Sequence, residues 1–218
     1  MKSSVITFPG SNCDRDMDVA LKKFGFKNKM VWHNDSELPK SDLIVLPGGF
    51  SYGDYLRCGS MASKSKIIDS VIKFAKSGGL IMGICNGFQI LIESGLLPGA
   101  LINNKKVKFL SQNVTLKVAS TNSIFTQDLS VNQSLEMPIA HRQGNFFATD
   151  DLVKKLQDDD QVAFTYDNNP NGSMGDIAGI FNETRNVLGM MPHPERAAEN
   201  ILGSSDGLAI FKSMIENM

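Results

Sequence analysis

The chain has 218 residues, of which 42% are hydrophobic and 21% charged, and its formal net charge is −1. This composition is typical of a globular protein, and it lacks the net positive charge that attracts nucleic acid and the long apolar run of a membrane span. The chain has three cysteines without paired spacing, and its N-terminal MKSSVITFPG lacks the apolar core of a signal peptide. These features favour a cytoplasmic protein. We expect neither nucleic acid nor a membrane as a partner.

The first part of the chain alternates short apolar strands with helical patterns. The strand-like segments SSVITF, KMVWH, DLIVLP and GLIMGIC are near-continuous apolar runs, as in parallel strands buried on both faces. The segments DRDMDVALKKFGF and KSKIIDSVIKFAKSGG carry apolar residues at helical spacing and end near glycine. This alternation predicts an α/β fold with a flavodoxin-like, doubly wound, mostly parallel sheet flanked by helices.

The later part of the chain has a different pattern. After a helix at NGFQILIESG come the strand-like segments NVTLKVAS, SLEMPIAHR, QVAFTYD, DIAGIFN and NVLGMMP, with NETRN as a hairpin turn. These segments predict an antiparallel or mixed extension of the sheet. LGSSDGLAIFKSMIEN closes the chain as a helix, for which we expect a Ser or Asp cap. Because no repeat or long linker interrupts the chain, we expect residues 1–218 to form a single domain.

Cys85 lies between Gly83 and Gly87, where a strand meets a helix. A nucleophile flanked by glycines at such a junction is typical of a nucleophile elbow. The N-terminus of the following helix favours thiolate, and the backbone N–H of Asn86 would point toward a developing oxyanion. A buried structural cysteine in a tight turn is the alternative, and this pentapeptide alone leaves both readings open.

The remaining cysteines and two of the three histidines are weaker candidates for chemistry. Cys13 lies in FPGSNCDRD, between a strand and a helix, so it too could lie at a helix N-terminus. Cys58 lies in YLRCGS, and neither cysteine has glycine on both sides at the elbow spacing. We therefore expect both to be packed loop residues. His33 ends a strand and fits a solvated loop residue, whereas His141 precedes a glycine and fits either a cleft or a hydrogen-bonded strand end.

His193 is the strongest candidate for a general base. It lies in MMPHPER directly after a strand, and Pro194 pushes it toward an extended conformation. In an extended chain His193 and Glu195 project to the same side, so the carboxylate can hold one ring nitrogen while the other faces a thiol. The alternative is a surface ion pair between Glu195 and Arg196.

The stretch LPGGFSYGD supplies a glycine turn and the start of a loop rich in aromatic and charged residues. Gly49 can bring its backbone N–H close to a substrate oxygen as a second oxyanion donor, although a double glycine is also typical of a plain turn. The loop that follows is interpreted as a partner-binding or gating loop, the alternative being an ordered loop with an Asp–Arg pair. Its candidate residues are Tyr52, Asp54, Tyr55 and Arg57.

The motifs PGG, GICNGFQ and PHPE, in this order, resemble the class I (triad-type) glutamine amidotransferases. Within that family, GGFSYGDYLRCG and MMPHPER resemble the glutaminase subunits of phosphoribosylformylglycinamidine synthases, and the matching segments extend from residue 9 to residue 196. The resemblance implies that Cys85 attacks the side-chain amide of glutamine and forms a γ-glutamyl thioester. His193 would then shuttle protons, and Glu195 would orient it.

The resemblance also implies contacts with glutamine and with other subunits. Gln89 and the backbone of Gly144 and Asn145 would contact glutamine, but Arg142 and Gln143 stand where many relatives have an acidic residue, so no side-chain role is carried over to Gln143. The ammonia would pass to a large synthetase subunit that activates formylglycinamide ribonucleotide with ATP and Mg²⁺, in a complex with a small third subunit. No cofactor or metal is expected on this chain. A stand-alone cysteine hydrolase of similar α/β fold remains the alternative.

Overall fold

A computed structural model of the protein describes residues 1–54 and 57–218. The strands are β1 (Lys2–Thr7), β2 (Lys27–Trp32), β3 (Leu43–Leu46), β4 (Leu80–Ile84), β5 (Ala100–Ile102), β6 (Leu110–Val118), β7 (Ser134–His141), β8 (Asn145–Phe147), β9 (Val162–Tyr166), β10 (Ile177–Phe181) and β11 (Val187–Met190). The α-helices are α1 (Cys13–Lys23), α2 (Cys58–Ala62), α3 (Ile67–Lys76), α4 (Asn86–Glu93), α5 (Asp150–Asp158) and α6 (Leu208–Glu216).

The parallel half of the sheet has the strand order β2-β1-β3-β4-β11. The chain winds outward from β1 to β2 and then returns to the other side of β1 for β3 and β4. Because parallel crossovers are right-handed, this reversal directs α1 and α3 to opposite faces of the sheet. The predicted flavodoxin-like, doubly wound fold is therefore confirmed.

The antiparallel half continues from β11 through β10, β9, β6 and β7 in one nine-stranded sheet. The NETRN turn joins β10 to β11, with Arg185 at a φ of 57° and the Asn182 N–H donating to the Val187 carbonyl. The antiparallel extension is confirmed. A separate two-stranded sheet pairs β5 with β8, which the sequence did not reveal.

Burial follows the position of each strand in the sheet. All residues of β3 and β11 are buried, as expected for central strands covered on both faces. The prediction of two-sided burial was wrong for β2, in which only Val31 is buried, while Met30 and Trp32 are exposed. The reason is its place at the sheet edge, which a local sequence pattern does not reveal.

Three helices differ from the predictions, and one of them, α2, begins at Cys58, which was expected in a loop. The residue that caps α6 is Gly207, without a side-chain cap bond, so the predicted Ser or Asp cap was wrong. The Asp206 carboxylate instead accepts a hydrogen bond from the Glu136 N–H. Helix α5 was missed, although its cap residue Thr149 accepts from the Leu152 N–H. Among the described residues, no helix is long and apolar enough to cross a bilayer.

The topology determines where the three motifs meet. The strands β3, β4 and β11 are consecutive neighbours in the sheet and run parallel. Their carboxyl ends therefore lie side by side, and they lead into the PGG turn, the cysteine turn and the PHPE turn, respectively. This edge of a doubly wound sheet is where such folds bind ligands.

Candidate active site

The turn at Cys85 has the geometry of a nucleophile elbow. Cys85 has a φ of 51° and a ψ of −103°, and α4 begins at the next residue. A β-carbon at Gly87 would lie 1.9 Å from the Leu46 carbonyl oxygen, and one at Gly83 would lie 2.8 Å from the Gly87 carbonyl oxygen. Only glycine fits at either position, so the two glycines allow the sharp turn that presents the cysteine at the start of the helix.

His193 and Glu195 form a buried pair. Nδ1 of His193 lies 2.6 Å from Oε1 of Glu195, and the two residues are 1% and 3% exposed. The predicted extended geometry holds at His193, but Pro194–Arg196 forms a 3₁₀ turn, so the pair meets around a turn and not along a strand. The alternative of a Glu195–Arg196 surface pair was wrong, because Arg196 binds Asp16 at 3.0 Å.

Gly48 brings the imidazole and the elbow together, and the sequence reading did not single it out. A β-carbon at Gly48 would lie 2.7 Å from Cε1 of His193 and 3.0 Å from Cβ of Cys85. A side chain here would enter the space between them. The double glycine of LPGGF could have indicated this close contact, but the sequence analysis assigned a role only to the second glycine, Gly49.

The backbone N–H groups of Gly49 and Asn86 are the two predicted oxyanion donors. Neither group donates a hydrogen bond to any residue that the structure describes. Gly49 has a φ of 87°, and its carbonyl accepts from the Asn12 N–H at 3.0 Å, which fixes the orientation of the turn. Free N–H groups beside a nucleophile are the donors that acyl-transfer enzymes use for the tetrahedral intermediate.

The three thiols are buried and have raised pKa values. Burial raises the pKa of Cys13 and of Cys58 to about 12 each. Burial also raises the pKa of Cys85 well above its ordinary value, and the nearby Asp54 carboxylate adds to the shift. Burial of Cys85 therefore opposes the stabilisation of a thiolate that is expected from the helix N-terminus.

Cys13 lies behind the histidine–glutamate pair. Its Sγ, a ring nitrogen of His193 and a carboxylate oxygen of Glu195 lie within 4.8 Å of one another, which is the only such metal-sized grouping in residues 1–54 and 57–218. The Cys13 thiol keeps its proton at neutral pH, and the imidazole is already bound to the carboxylate. We therefore interpret Cys13 as packing behind the pair, not as a metal ligand.

The predicted glutamine contacts are buried and have protein partners. Gln89 donates to the Gln143 carbonyl at 2.7 Å and accepts from the Cys58 thiol at 2.7 Å. The Gly144 N–H donates to Oδ1 of Asn104, and the Gly144 carbonyl accepts from the Asn171 side chain. Oδ1 of Asn145 is buried without a hydrogen-bond partner among the described residues.

His141 and His33 are structural neighbours of the site. Nδ1 of His141 lies 3.1 Å from Oδ1 of Asn104, and burial lowers the pKa of His141 to about 4. A β-carbon at Gly144 would lie 2.3 Å from the His141 ring, so the glycine accommodates this histidine. Nδ1 of His33 lies 3.0 Å from the Ser65 hydroxyl, and His33 follows the end of β2 and is partly exposed.

The residues of the predicted partner loop point in different directions. The Tyr52 hydroxyl faces inward to His33 and Ser65, and Asp54 accepts from the Asn86 side chain at 2.9 Å. Arg57 is paired with Glu93, so the alternative Asp–Arg pair is absent from this described part of the loop. Tyr55 lies outside the described residues.

A cavity of about 790 Å³ opens beside this loop. Phe50 and Phe109, which stack with ring centroids 6.0 Å apart, line it together with Asp54, Arg57 and Arg142. Cys85 is not among the described residues that line the cavity, and only 3% of it is exposed. A substrate can reach the thiol only if the residues that cover it move.

Comparisons with known proteins identify relatives over the whole length of the chain. The family model described as CobB/CobQ-like glutamine amidotransferase domain matches residues 1–207. A protein named phosphoribosylformylglycinamidine synthase subunit PurQ from Pelagibacter ubique is 59% identical over 100% of both chains. A protein of the same name from a Ruegeria species is 54% identical over 98% of this chain and 97% of its own.

Solved structures agree with this relationship. The structure of PurLQS from Thermotoga maritima matches with a TM-score of 0.91 and 45% identity, over 99% of this chain and 97% of that chain. A glutamine amidotransferase from Thermotoga maritima matches with a TM-score of 0.61 at 16% identity, over 100% of this chain and 91% of that chain, which shows a shared fold alone.

Proposed function

The chain belongs to the CobB/CobQ-like glutamine amidotransferase domain family, and on this premise we propose that it is the glutaminase subunit of a phosphoribosylformylglycinamidine synthase. It hydrolyses glutamine and delivers ammonia to a synthetase subunit. The observation that carries the proposal is the buried pair of His193 and Glu195, which meets the Cys85 elbow across Gly48. A nucleophile, a base and an orienting carboxylate are the parts that covalent acyl transfer requires.

The first half of the reaction forms a thioester. Nε2 of His193 takes the proton of the Cys85 thiol, and the sulfur attacks the side-chain amide carbon of glutamine. The N–H groups of Gly49 and Asn86 hold the oxyanion that develops on the amide oxygen. When the tetrahedral intermediate collapses, the carbon–nitrogen bond breaks, and His193 gives its proton to the leaving nitrogen. Ammonia departs, and a γ-glutamyl thioester remains on Cys85.

The second half of the reaction releases glutamate. Water attacks the thioester carbon while His193 takes a proton from it, and the same N–H groups hold the second oxyanion. Collapse breaks the carbon–sulfur bond, and the sulfur recovers its proton from His193. Glu195 accepts the Nδ1–H of His193 throughout, and it stabilises the imidazolium that forms in both halves.

The ammonia is used by another subunit. We assign ATP and Mg²⁺ to the synthetase, which converts formylglycinamide ribonucleotide to formylglycinamidine ribonucleotide, and a small third subunit completes the complex. This assignment is supported by the names of the relatives, among which the Thermotoga maritima structure is called PurLQS. The assignment of ATP to another subunit also agrees with the sequence of this chain, which has no Walker-type phosphate loop.

The decisive experiment compares two nitrogen donors. Cys85→Ala in the reconstituted complex should abolish synthesis from glutamine and leave synthesis from ammonium salts unchanged, because only the first route uses the thiol. A glutamine-analogue alkylator should label Cys85 in preference to Cys13 and Cys58. If glutamine-dependent synthesis survived in Cys85→Ala, the proposed function would be wrong. Full turnover of a peptide or γ-glutamyl substrate by the isolated chain would indicate a stand-alone cysteine hydrolase.

A further inference from the structure

Two buried asparagines hold the turn between β7 and β8. We call residues 142–144 the β7–β8 turn, since β7 ends at His141 and β8 begins at Asn145. The side chain of Asn104, in the loop after β5, and that of Asn171, in the loop after β9, both bond the backbone of this turn. The two asparagines are 2% and 0% exposed, so they are parts of the interior although both lie in loops.

Asn104 contacts both the end of β7 and the β7–β8 turn. Its Nδ2 donates to the His141 carbonyl at 2.9 Å, and its backbone N–H donates to the Arg142 carbonyl at 2.9 Å. Its Oδ1 accepts from the Gly144 N–H at 3.2 Å and lies 3.1 Å from Nδ1 of His141. Because Nδ2 is directed at carbonyl groups, Oδ1 is the acceptor, and Nδ1 of His141 carries the ring proton. One side chain therefore fixes both the path of the turn and the tautomer of the histidine beside it.

Asn171 holds the same turn through its last carbonyl. Its Nδ2 donates to the Gly144 carbonyl at 2.8 Å, and its Oδ1 accepts from the N–H and the hydroxyl of Ser173. The N–H and the carbonyl of Gly144 are therefore both bonded to asparagine side chains. A buried polar network in which the groups have partners specifies one arrangement of the backbone, and here it specifies that of the β7–β8 turn.

The turn and the strand end before it also border the candidate active site. The Ala140 carbonyl lies 3.7 Å from Sγ of Cys85, and the Gln143 carbonyl accepts from Nε2 of Gln89 on α4 at 2.7 Å. Arg142 and Gln143 line the 790 Å³ cavity. This segment therefore extends from the thiol to the cavity wall, and the two asparagines determine its shape along that path.

We propose that Asn104 and Asn171 are positioning residues for glutamine recognition, because they hold the β7–β8 turn in the arrangement that the amino-acid end of glutamine contacts. This inference rests on the proposed glutaminase function. A glutamine whose side-chain amide carbon lies at Sγ of Cys85 extends along the turn toward the cavity, with its α-ammonium and α-carboxylate groups farthest from the sulfur. Selectivity for glutamine over other primary amides then depends on two asparagines that do not touch the substrate, whereas the reactivity of the thiol does not depend on them.

Two alkylating agents separate recognition from thiol reactivity. In the reconstituted complex, the rate of Cys85 labelling is measured with a chloroketone analogue of glutamine, which carries the α-ammonium and α-carboxylate groups, and with iodoacetamide, which carries neither. Asn104→Ala and Asn171→Ala should each lower the ratio of the first rate to the second about 10- to 100-fold, the size expected when a hydrogen bond to a charged group is lost. The rate with iodoacetamide should stay close to that of wild type. An unchanged ratio in either variant would overturn the proposal.

Two control variants remove comparable contacts and leave the bonds to the β7–β8 turn in place. Tyr166→Phe removes the hydroxyl that accepts from Nδ2 of Asn171 at 3.4 Å and keeps the bond to Gly144. Asn186→Ala removes a buried asparagine that donates to two backbone carbonyls just before β11, at the opposite end of the parallel strands from the site. Both should keep the wild-type ratio, although Asn186→Ala should lower the urea midpoint as the test variants do. A lower ratio in Asn186→Ala would mean that lost stability alone explains the effect, and it would contradict the proposal.

Steady-state kinetics of the complex give an independent readout. Asn171→Ala should raise KM for glutamine about tenfold and change kcat little, because binding contacts that are equal in the ground state and the transition state affect KM alone. Synthesis from ammonium salts, which does not use the glutamine site, should be unchanged. A lower kcat with an unchanged KM would contradict a role in recognition.

The Cys85→Ala variant distinguishes failure of this inference from failure of the proposed function. If Cys85→Ala abolishes glutamine-dependent synthesis but Asn104→Ala and Asn171→Ala keep the wild-type labelling ratio, the glutaminase function holds and the role of the asparagines is wrong. If Cys85→Ala retains glutamine-dependent synthesis, the proposed function itself is wrong.

Discussion

At the scale of single residues, two opposing effects determine the protonation state of Cys85. A helix N-terminus stabilises a nearby negative charge by at most about 2 kcal/mol, which corresponds to somewhat more than one pKa unit. Full burial can shift a pKa by about 3–5 units in the opposite direction. Burial therefore prevails, and the thiol rests protonated in this structure. In the proposed reaction His193 therefore acts as a general base, and its tautomer decides whether it can accept the thiol proton.

Glu195→Gln tests this requirement. A glutamine amide can donate its NH₂ to Nδ1 of His193, which moves the ring proton to Nε2 and leaves no acceptor for the thiol proton. We expect kcat for glutamine-dependent synthesis to fall about 10²- to 10⁴-fold, with ammonia-dependent synthesis unchanged. Steady-state kinetics of the complex measure both. Asp16→Asn, which breaks only the partly exposed pair with Arg196, should change kcat less than about twofold. Wild-type activity of Glu195→Gln would show that the carboxylate is dispensable.

At the scale of elements, the site depends on the close approach of three turns that follow neighbouring strands. Local patterns predicted each turn, because a nucleophile between two glycines and a proline-flanked histidine are visible in a few residues. The family resemblance implied their proximity, but the local patterns did not show it, since it depends on β11 lying between β4 and β10, a pairing between distant parts of the chain. The 3₁₀ turn at 194–196 and the role of Gly48 follow from that contact, so the local sequence did not predict them.

Gly48→Ala tests the close approach. The added methyl group would lie 2.7 Å from Cε1 of His193 and 3.0 Å from Cβ of Cys85, so the imidazole or the elbow must shift. We expect glutamine-dependent turnover to fall about 10²-fold, because a displacement of about 1 Å between reacting groups has that effect. The control is Gly78→Ala, where φ is 87° but nothing lies within 4 Å of the new carbon. It should cost about 1 kcal/mol of unfolding free energy and leave turnover intact. Equal turnover in both variants would show that Gly48 does not govern the site.

At the scale of the whole molecule, the site is held by contacts between distant parts of the chain. The Cys85 N–H donates to the Met190 carbonyl, and the His193 N–H donates to the Pro138 carbonyl. The Tyr52 N–H donates to the carbonyl of Pro9 in the loop after β1. Cys85, His193 and the loop that begins at Phe50 are therefore positioned only when both halves of the sheet have formed. Conditions that loosen the antiparallel half should disturb His193 through β7, and β7 ends at a histidine that is itself sensitive to pH.

His141 should make the stability of the protein depend on pH in the acid range. Burial lowers its folded-state pKa to about 4, whereas the ordinary value is 6.5. Between these values the unfolded chain binds a proton that the folded protein does not. The stabilisation is therefore fully present above pH 6.5 and is lost as the pH falls toward 4. The loss amounts to about 3 kcal/mol, at about 1.4 kcal/mol for each pKa unit.

Urea unfolding at several pH values between 4 and 7 measures this effect. His141→Gln should be less stable than wild type at pH 7, because the contact with Asn104 and the packing against Gly144 are disturbed. Since the variant has no group to protonate at this position, the gap between the two proteins should narrow as the pH falls from 6.5 to 4. The control is His33→Gln, which replaces a less buried histidine and should keep most of the wild-type slope. Parallel stability curves for wild type and His141→Gln would show that the buried imidazole is not the source of the acid sensitivity.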